Sequence, residues 1–131
     1  MIVIDSSAVV NLLIGESNAA RIASLIEREE THAPHLIGFE VLSAIRGQVR
    51  GAKMTSVDAM QTMRDYMDLE DRLELWPLSD ALNERVLELR DNVTAYDSCY
   101  VAMAELFGCP FVTSDAKLVR TSGHHAEIVL V

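Results

Sequence analysis

With 131 residues, of which 50% are hydrophobic and 24% charged, the chain has the size and composition of one globular domain that buries a core without disulfides. Its formal net charge of −9 argues against a general nucleic-acid coating protein, because affinity for a polyanion needs basic surface. No apolar run approaches the roughly 18 residues of a membrane span, and the N-terminus lacks the features of a signal peptide. The two cysteines, Cys99 and Cys109, show no zinc-site spacing, and we expect a cytoplasmic protein.

Apolar runs of strand length alternate with amphipathic segments of helical period, separated by short loops. This alternation predicts the α/β fold class, as a sandwich around a mostly parallel sheet. In chain order the predicted elements are strand 2–4, helix 6–13, helix 18–30, strand 31–34, helix 36–50, helix 55–70, strand 73–77, helix 79–90, helix 95–107, strand 111–113 and strand 128–131.

Three local signals refine these elements. The hydroxyls of Ser6 and Ser7 are candidates to cap the first helix. Pro34 predicts that the second strand lies at an edge of the sheet, since proline cannot donate to a central ladder. Thr55 and Asp58 have the spacing of a capping box, with Asp in place of the usual Glu, and predict the start of the fourth helix.

Two carboxylates follow predicted strands. Asp5 comes directly after the first strand, and Asp115 comes just after strand 111–113. In a parallel α/β sheet, ligands bind outside the carboxyl ends of the strands, so both are candidates for a functional site. Either one taken alone also fits an ordinary helix cap or turn, for which aspartate is common.

Two further acids fall on inner faces of predicted helices. Glu40 lies on or beside an apolar stripe, where an unpaired carboxylate costs several kcal/mol, although an ion pair or an edge position explains it equally well. Asp97 shares a face with Tyr100 in the first turn of its helix, where the helix dipole favours any anion. The stripe beside Glu40 comprises Leu36, Ile37, Val41, Leu42 and Ile45.

The joint occurrence of these four acids is more informative than any one of them. If they converge at one edge of the sheet, they repel one another unless a cation compensates their charge. A ligand set of carboxylate oxygens, without cysteine or a histidine pair, favours Mg²⁺ or Mn²⁺ over zinc.

Other side chains allow two interpretations. Met60, Met63 and Met67 follow helical spacing, which is typical of a core helix, although methionines also suit a contact surface for a partner. Trp76 and Tyr96 are interpreted as packing residues that would stack a nucleobase only if exposed.

A small basic cluster follows the apolar stripe of the third helix. It consists of Arg46, Arg50 and Lys53, and it is a candidate contact for an RNA backbone. It fits the solvated end of an amphipathic helix equally well.

Four segments together resemble the PIN-domain nucleases and, within them, the VapC-type toxins of bacterial toxin–antitoxin pairs. The segments are Ile2-Val3-Ile4-Asp5-Ser6-Ser7 with the apolar residues after it, Glu40-Val41-Leu42-Ser43-Ala44-Ile45-Arg46, Thr94-Ala95-Tyr96-Asp97-Ser98-Cys99-Tyr100-Val101-Ala102, and Phe111-Val112-Thr113-Ser114-Asp115. They occur in the order and spacing of the family and span almost the whole chain.

The resemblance implies a three-layer α/β/α sandwich, a single PIN-like nuclease domain over 1–131, and an endoribonuclease that hydrolyses RNA with Mg²⁺ or Mn²⁺. It also implies a VapB-type antitoxin and a homodimer or toxin–antitoxin hetero-oligomer, without a membrane. The site residues it implies are the metal-holding acids Asp5, Asp97 and Asp115, the fourth acid Glu40, and the supporting hydroxyls Ser6 and Thr113. Our hypothesis is that Asp5 and Asp97 hold the principal metal, while Asp115 and Glu40 orient water or hold a second ion.

Alternatives within this fold class are a housekeeping RNA-processing nuclease and a non-catalytic domain that binds RNA or protein. A receiver domain needs an acidic pair after the first strand, and a haloacid-dehalogenase phosphatase needs Asp-x-Asp there. The sequence Asp5-Ser6-Ser7 fits neither.

Overall fold

The computed structural model describes residues 1–131 and contains one five-stranded sheet in the order β3-β2-β1-β4-β5, with all four strand pairs parallel. The elements are β1 (Ile2–Ile4), α1 (Ser6–Ile14), α2 (Ala19–Arg28), β2 (Thr31–Pro34), α3 (Ile37–Arg50), α4 (Ser56–Glu70), β3 (Glu74–Trp76), α5 (Asp80–Glu88), α6 (Ala95–Phe107), β4 (Phe111–Thr113) and β5 (Ile128–Leu130). Short 3₁₀ turns cover Leu89–Asp91 and Leu118–Arg120.

The strand order explains the three layers. The chain moves from β1 to β2 to β3 in one direction across the sheet, and then returns past β1 to β4 and β5. Because parallel crossovers are right-handed, α1–α4 cover one face of the sheet, while α5 and α6 cover the other. The fold is the α/β/α sandwich that the sequence predicts, and the sheet is entirely parallel.

The core lies between β1 and α6. All three residues of β1 are buried, and so is the continuous stretch from Ser98 to Ala104 in α6. The Tyr100 ring stacks on Phe111 of β4 with their centroids 5.8 Å apart and their planes 5° from parallel. This packing fixes the second turn of α6 against the centre of the sheet.

The prediction that strand 31–34 lies at an edge is wrong. β2 pairs with β1 on one side and β3 on the other, so the edges of the sheet are β3 and β5. Pro34 is tolerated because it is the last residue of β2, beyond the two positions, Thr31 and His32, that pair with β1. Its missing N–H therefore removes no hydrogen bond from that ladder.

The packing role predicted for several large side chains is also wrong. Met60 and Met67 are exposed on α4, and only Met63 is partly buried, because α4 turns Thr62 and Tyr66 inward instead. Helical spacing identifies a face of a helix but does not say which face packs. Tyr96, which we also expected to pack, is likewise exposed, whereas Trp76, although 43% exposed, does pack its ring against His32 and Phe107.

No single helix is long and apolar enough to cross a membrane. Only α1 and α2 taken together reach that length and composition, and their axes bend by 117° at the break between them.

Candidate active site

The acidic residues lie where the strand order reverses, between β1 and β4. This topological switch point leaves a crevice at the carboxyl ends of the two strands, which is the usual ligand site of such sheets. Asp5 follows β1 and Asp115 follows β4, so the fold brings together two acids that are 110 positions apart in the numbering of the chain.

Asp5 is the most buried of the four acids, with 5% of its surface exposed. Its Oδ2 accepts a hydrogen bond from the Thr113 hydroxyl at 2.5 Å, while its Oδ1 accepts from the Ser7 hydroxyl at 2.7 Å and the Ala8 amide at 3.0 Å. The bond from Ala8 makes Asp5 the N-cap of α1, so the prediction that Ser6 or Ser7 caps this helix is wrong. The side chain is held from three directions.

Burial raises the pKa of the Asp5 carboxyl above its ordinary value, and the charge of Asp97 raises it further. The hydrogen bonds from Thr113, Ala8 and Ser7 lower this pKa and only partly offset the burial. No lysine, arginine or histidine forms an ion pair with Asp5. Its charge is therefore left without a protein cation to compensate it.

Glu40 lies in the first turn of α3, half-buried, and accepts a hydrogen bond from the Tyr100 hydroxyl at 2.5 Å. Burial raises the pKa of Glu40, and the charges of Asp97 and Asp5 add to that rise, while the Tyr100 and Ser6 hydroxyls oppose it. Glu40 therefore lies close enough to both aspartates to interact with them. Glu40 makes no ion pair, so an ion pair does not explain its position on α3.

Asp97 lies in the first turn of α6 and is oriented by the residue that caps this helix. The Thr94 hydroxyl accepts a hydrogen bond from the Asp97 amide at 3.3 Å and donates one to the Asp97 Oδ2 at 2.6 Å. The expected interaction with the helix N-terminus is thus present. Asp97 also faces the other acids, since its charge acts on both Asp5 and Glu40.

Asp115 follows β4 and therefore lies on the β4 side of Asp5. Its amide donates to the Thr113 hydroxyl at 3.0 Å, and its Oδ1 accepts from the Lys117 amide at 2.8 Å, as in an Asx turn. Thr113 therefore connects the two aspartates, donating to one and accepting from the other. Asp115 also lines a cavity of about 400 Å³ together with Ser6 and Ser7.

The donor chemistry of this crevice fits a divalent cation. Asp5, Glu40 and Asp97 offer only carboxylate oxygens, they repel one another, and none has a basic partner. As the side chains are placed, no three of them are close enough together to ligate one ion. Glu40 and Asp97, which are only half-buried, would have to move closer to Asp5 to complete such a set, and the Tyr100 and Thr94 hydroxyls each occupy only one of their two carboxylate oxygens.

The predicted basic cluster is exposed and free of ion pairs, but it is not brought to the acids. At 1.5 Å per residue, Arg46 and Arg50 lie about 9 Å and about 15 Å along α3 from Glu40. Lys53 follows the end of α3 and lines a separate cavity near the start of α4. None of these three residues lines the cavities that contain Glu40 and Asp115.

Three polar residues of the crevice were not predicted to hold the acids. Ser7 links Asp5 to the Ser114 amide, Tyr100 holds Glu40, and Thr94 orients Asp97. Thr94 has a local signal, because it stands three residues before an acid at the start of a helix, as in a capping box. The contact of Ser7 with Asp5 is local, but its contact with Ser114 and the contact of Tyr100 with Glu40 join distant segments, which no local pattern pairs.

Comparison with known proteins identifies the family. Residues 2–123 match the sequence profile of the PIN domain. Ribonuclease VapC12 of Mycobacterium tuberculosis is 36% identical over 131 residues, which cover 100% of this chain and 99% of that protein.

Solved structures share the fold. The crystal structure of PAE2754 from Pyrobaculum aerophilum matches with a TM-score of 0.70 at 24% identity, covering 98% of this chain and 83% of that one. A toxin–antitoxin complex from Klebsiella pneumoniae contains a chain that matches with a TM-score of 0.68 at 15% identity, covering 89% and 88%. The sequence match over almost the whole chain, together with the carboxylates gathered at the switch point, leads to one conclusion: this chain belongs to the PIN-domain family and, within it, to the VapC group.

Proposed function

We propose that this chain is an endoribonuclease that hydrolyses RNA phosphodiester bonds with the aid of Mg²⁺ or Mn²⁺, and that it acts as the toxin of a toxin–antitoxin pair. The observation that carries the proposal is Asp5, a buried carboxylate without a cationic partner, next to Glu40 and Asp97 at the switch point of the sheet. The ribonuclease name of the VapC12 relative supports RNA as the substrate.

In this proposal Asp5 and Asp97 hold the principal metal ion, while Glu40 and Asp115 orient water or hold a second ion. A bound divalent cation would supply Lewis acidity, lowering the pKa of water and neutralising charge on the phosphate. Asp5 suits the metal-holding role because its carboxylate is already fixed, which reduces the entropy lost on binding.

The hydroxyl groups around the acids serve as supports. Thr113 and Ser7 hold the Asp5 carboxylate in one orientation, and Tyr100 holds Glu40 toward the crevice. Ser6 interacts with Glu40 and lines both the cavity that contains Glu40 and the cavity that contains Asp115, and in this proposal it would help to orient water or the phosphate. Arg46, Arg50 and Lys53 would contact RNA only at a distance from the scissile bond.

We propose a VapB-type antitoxin as the protein partner, in a homodimer or a toxin–antitoxin hetero-oligomer, and cytoplasmic action without a membrane. The toxin–antitoxin complex among the structural neighbours supports this assignment together with the VapC relationship. Residues 1–131 would form a single nuclease domain, since one sheet and one core cluster run through the chain.

The first experiment compares purified protein with its Asp5→Asn variant on a pool of cellular RNA, with Mg²⁺ or Mn²⁺ and with chelator. Asparagine caps helices as well as aspartate, so the variant should fold with at least the stability of the parent. We expect it to lose at least about 100-fold in cleavage rate, because it lacks a metal-holding charge. Asp58→Asn, which changes the first-turn acid of α4, is the matched control and should cleave normally.

Thermal unfolding supplies a second readout that does not depend on activity. A ligand at 100 times its dissociation constant adds about 2.7 kcal/mol to the free energy of unfolding, so Mn²⁺ should raise the melting temperature of the parent and of Asp58→Asn, but not that of Asp5→Asn. Cleavage that persists in both chelator and Asp5→Asn would contradict the proposal. Folded, metal-loaded protein that never cuts RNA would favour a non-catalytic binding role.

A further inference from the structure

An apolar cavity opens beside the acidic crevice in a chain whose net charge is −9. It has a volume of about 420 Å³, and eight of its eleven lining residues are hydrophobic. Four of them are large side chains left open to solvent: Phe39 is 79% exposed, Tyr96 67%, Leu78 63% and Trp76 43%. A cluster of exposed apolar side chains of this kind marks a binding site more often than chance. We name the cavity bounded by these four residues the aromatic pocket.

The aromatic pocket is continuous with the acids. Phe39 and Tyr96 also line a second cavity of about 650 Å³, whose wall includes Glu40 and Ser6. Ser6 in turn lines the third cavity, which contains Asp115. The three cavities are thus adjacent, and together they form a groove from the aromatic pocket past Glu40 to Asp115.

Two aromatic residues of the pocket are each next to an acid in the sequence. Phe39 precedes Glu40 in the first turn of α3, and Tyr96 precedes Asp97 in the first turn of α6. Consecutive side chains of a helix point about 100° apart, so each ring lies on the face next to that of its acid. Phe39, Tyr96 and Glu40 nevertheless line one cavity.

We infer that the aromatic pocket holds an unstacked nucleobase of single-stranded RNA, with Tyr96 and Phe39 against the base, so that a neighbouring phosphate reaches the acids. This inference rests on the proposed nuclease function and adds to it the residues that hold a base. Double-stranded RNA does not satisfy this geometry, because its bases are stacked and paired.

Charge favours a base over a phosphate as the occupant. No Asp, Glu, Lys or Arg side chain lines the aromatic pocket, and the whole chain carries a net charge of −9. Stacking on an aromatic ring is neutral and tolerates any base, so it supplies affinity that acidic surroundings do not oppose. His35 and Asn83, which also line the pocket, offer hydrogen-bonding groups to the edge of a base.

The test measures RNA binding in the Asp5→Asn background, where the RNA is not cut. The probe is a short oligouridylate that carries one 2-aminopurine, whose fluorescence is quenched when it stacks on an aromatic ring. We expect the parent to quench the probe, and Tyr96→Ala to weaken binding by about 10-fold or more. Tyr96→Phe, which keeps the ring, should bind within about twofold of the parent.

Two controls isolate the pocket. Met67→Ala removes a comparably exposed apolar side chain from α4, outside the groove, and should leave binding unchanged. An oligouridylate with an abasic site in place of 2-aminopurine should bind the parent as weakly as the intact probe binds Tyr96→Ala, and Tyr96→Ala should not weaken its binding further.

Three results would overturn the inference. If the protein cleaves RNA but Tyr96→Ala binds the probe as tightly as its parent, the nuclease function stands and the base site is wrong. If Tyr96→Ala dissociates a dimer in sedimentation or loses an antitoxin, with RNA affinity unchanged, the pocket is a protein interface. If the unmodified protein neither binds nor cleaves RNA, the proposed function and this inference both fail.

Discussion

Two tyrosines of this chain each donate a hydrogen bond to a glutamate, but only one of them does so in the acidic crevice. Tyr100 donates to Glu40 at 2.5 Å, and Tyr66 donates to Glu70 at 2.7 Å within α4. Burial and the neighbouring glutamate raise the pKa of both phenols above the ordinary value, so both stay protonated donors at neutral pH. Both rings are buried, and phenylalanine would fill the same space.

The Tyr100→Phe variant should therefore distinguish a role of Tyr100 in positioning Glu40 from a role in the stability of the fold. Removing its hydroxyl should cost about 1 kcal/mol in the free energy of unfolding, and Tyr66→Phe should cost about the same. RNA cleavage should fall about 10-fold in kcat/KM for Tyr100→Phe alone, because Glu40 is then free to leave the crevice. Melting curves and cleavage rates of both variants test this. Equal losses of cleavage in the two variants would show that Tyr100 acts only through stability.

Two helices of the chain begin in the same way. Thr94 caps α6 and Thr55 caps α4, and each accepts from an amide three residues on and donates to that residue's carboxylate. The carboxylates are Asp97 in the crevice and Asp58 on the surface. Replacing either cap by alanine should cost about 1 kcal/mol of stability.

The consequence for cleavage should differ between the two helices. In Thr94→Ala the Asp97 side chain loses its hydroxyl partner, and we expect a clear fall in cleavage rate together with weaker metal binding. Thr55→Ala should lose stability and nothing else, and Thr94→Ser should restore most of the activity, since serine caps equally well. The measurements are Mn²⁺ titration by thermal shift and cleavage of the RNA pool. Normal metal affinity in Thr94→Ala would contradict this role of the cap.

At the scale of the whole molecule, one arginine connects α5 and α6 to the loop that precedes β5. Arg85 of α5 binds Glu105 of α6 through two hydrogen bonds at 2.6 and 3.1 Å, contacts Glu88 at 2.7 Å, and donates to the Gly123 carbonyl at 3.1 Å. Glu105 also accepts from the His125 amide, just before β5. Burial raises the pKa of Glu105, but the hydrogen bonds and charge of Arg85 outweigh it, so that the net pKa is lowered.

This linkage predicts a pH-dependent loss of stability. An acid whose folded pKa is lowered stabilises the fold above its ordinary pKa, and the stabilisation disappears as pH falls through the folded value. Glu105→Gln should therefore cost about 1–2 kcal/mol at pH 7, and the difference from the parent should shrink on acidification below the ordinary glutamate pKa of 4.5. Urea unfolding across this range measures it.

Glu88→Gln is the control for the same arginine. Because Glu88 is mostly exposed, its loss should cost only a few tenths of a kcal/mol at any pH. If the loss in free energy of unfolding of Glu105→Gln stays constant down to strongly acid pH, the Arg85–Glu105 contact stabilises the fold by packing rather than by charge.

The sequence by itself determined the order and type of the elements and the positions of the acids along them. These features depend on local physics: β1 is a short β-branched run, and α6 begins at its threonine cap and ends at Gly108, which has φ of 62°. The parallel sheet places Asp5 and Asp115 at carboxyl ends whatever the strand order, and so the acidic site was predictable in outline.

Only the tertiary structure decided which strands lie side by side and which helix faces meet. The reversal between β1 and β4 creates the crevice, and it puts β2 inside the sheet in spite of Pro34. The Tyr100–Glu40 and Thr113–Asp5 hydrogen bonds join residues 60 and 108 positions apart, and no local pattern encodes such pairs. Periodicity likewise failed for Met60 and Met67, because solvent exposure depends on what packs against a face and not on the face itself.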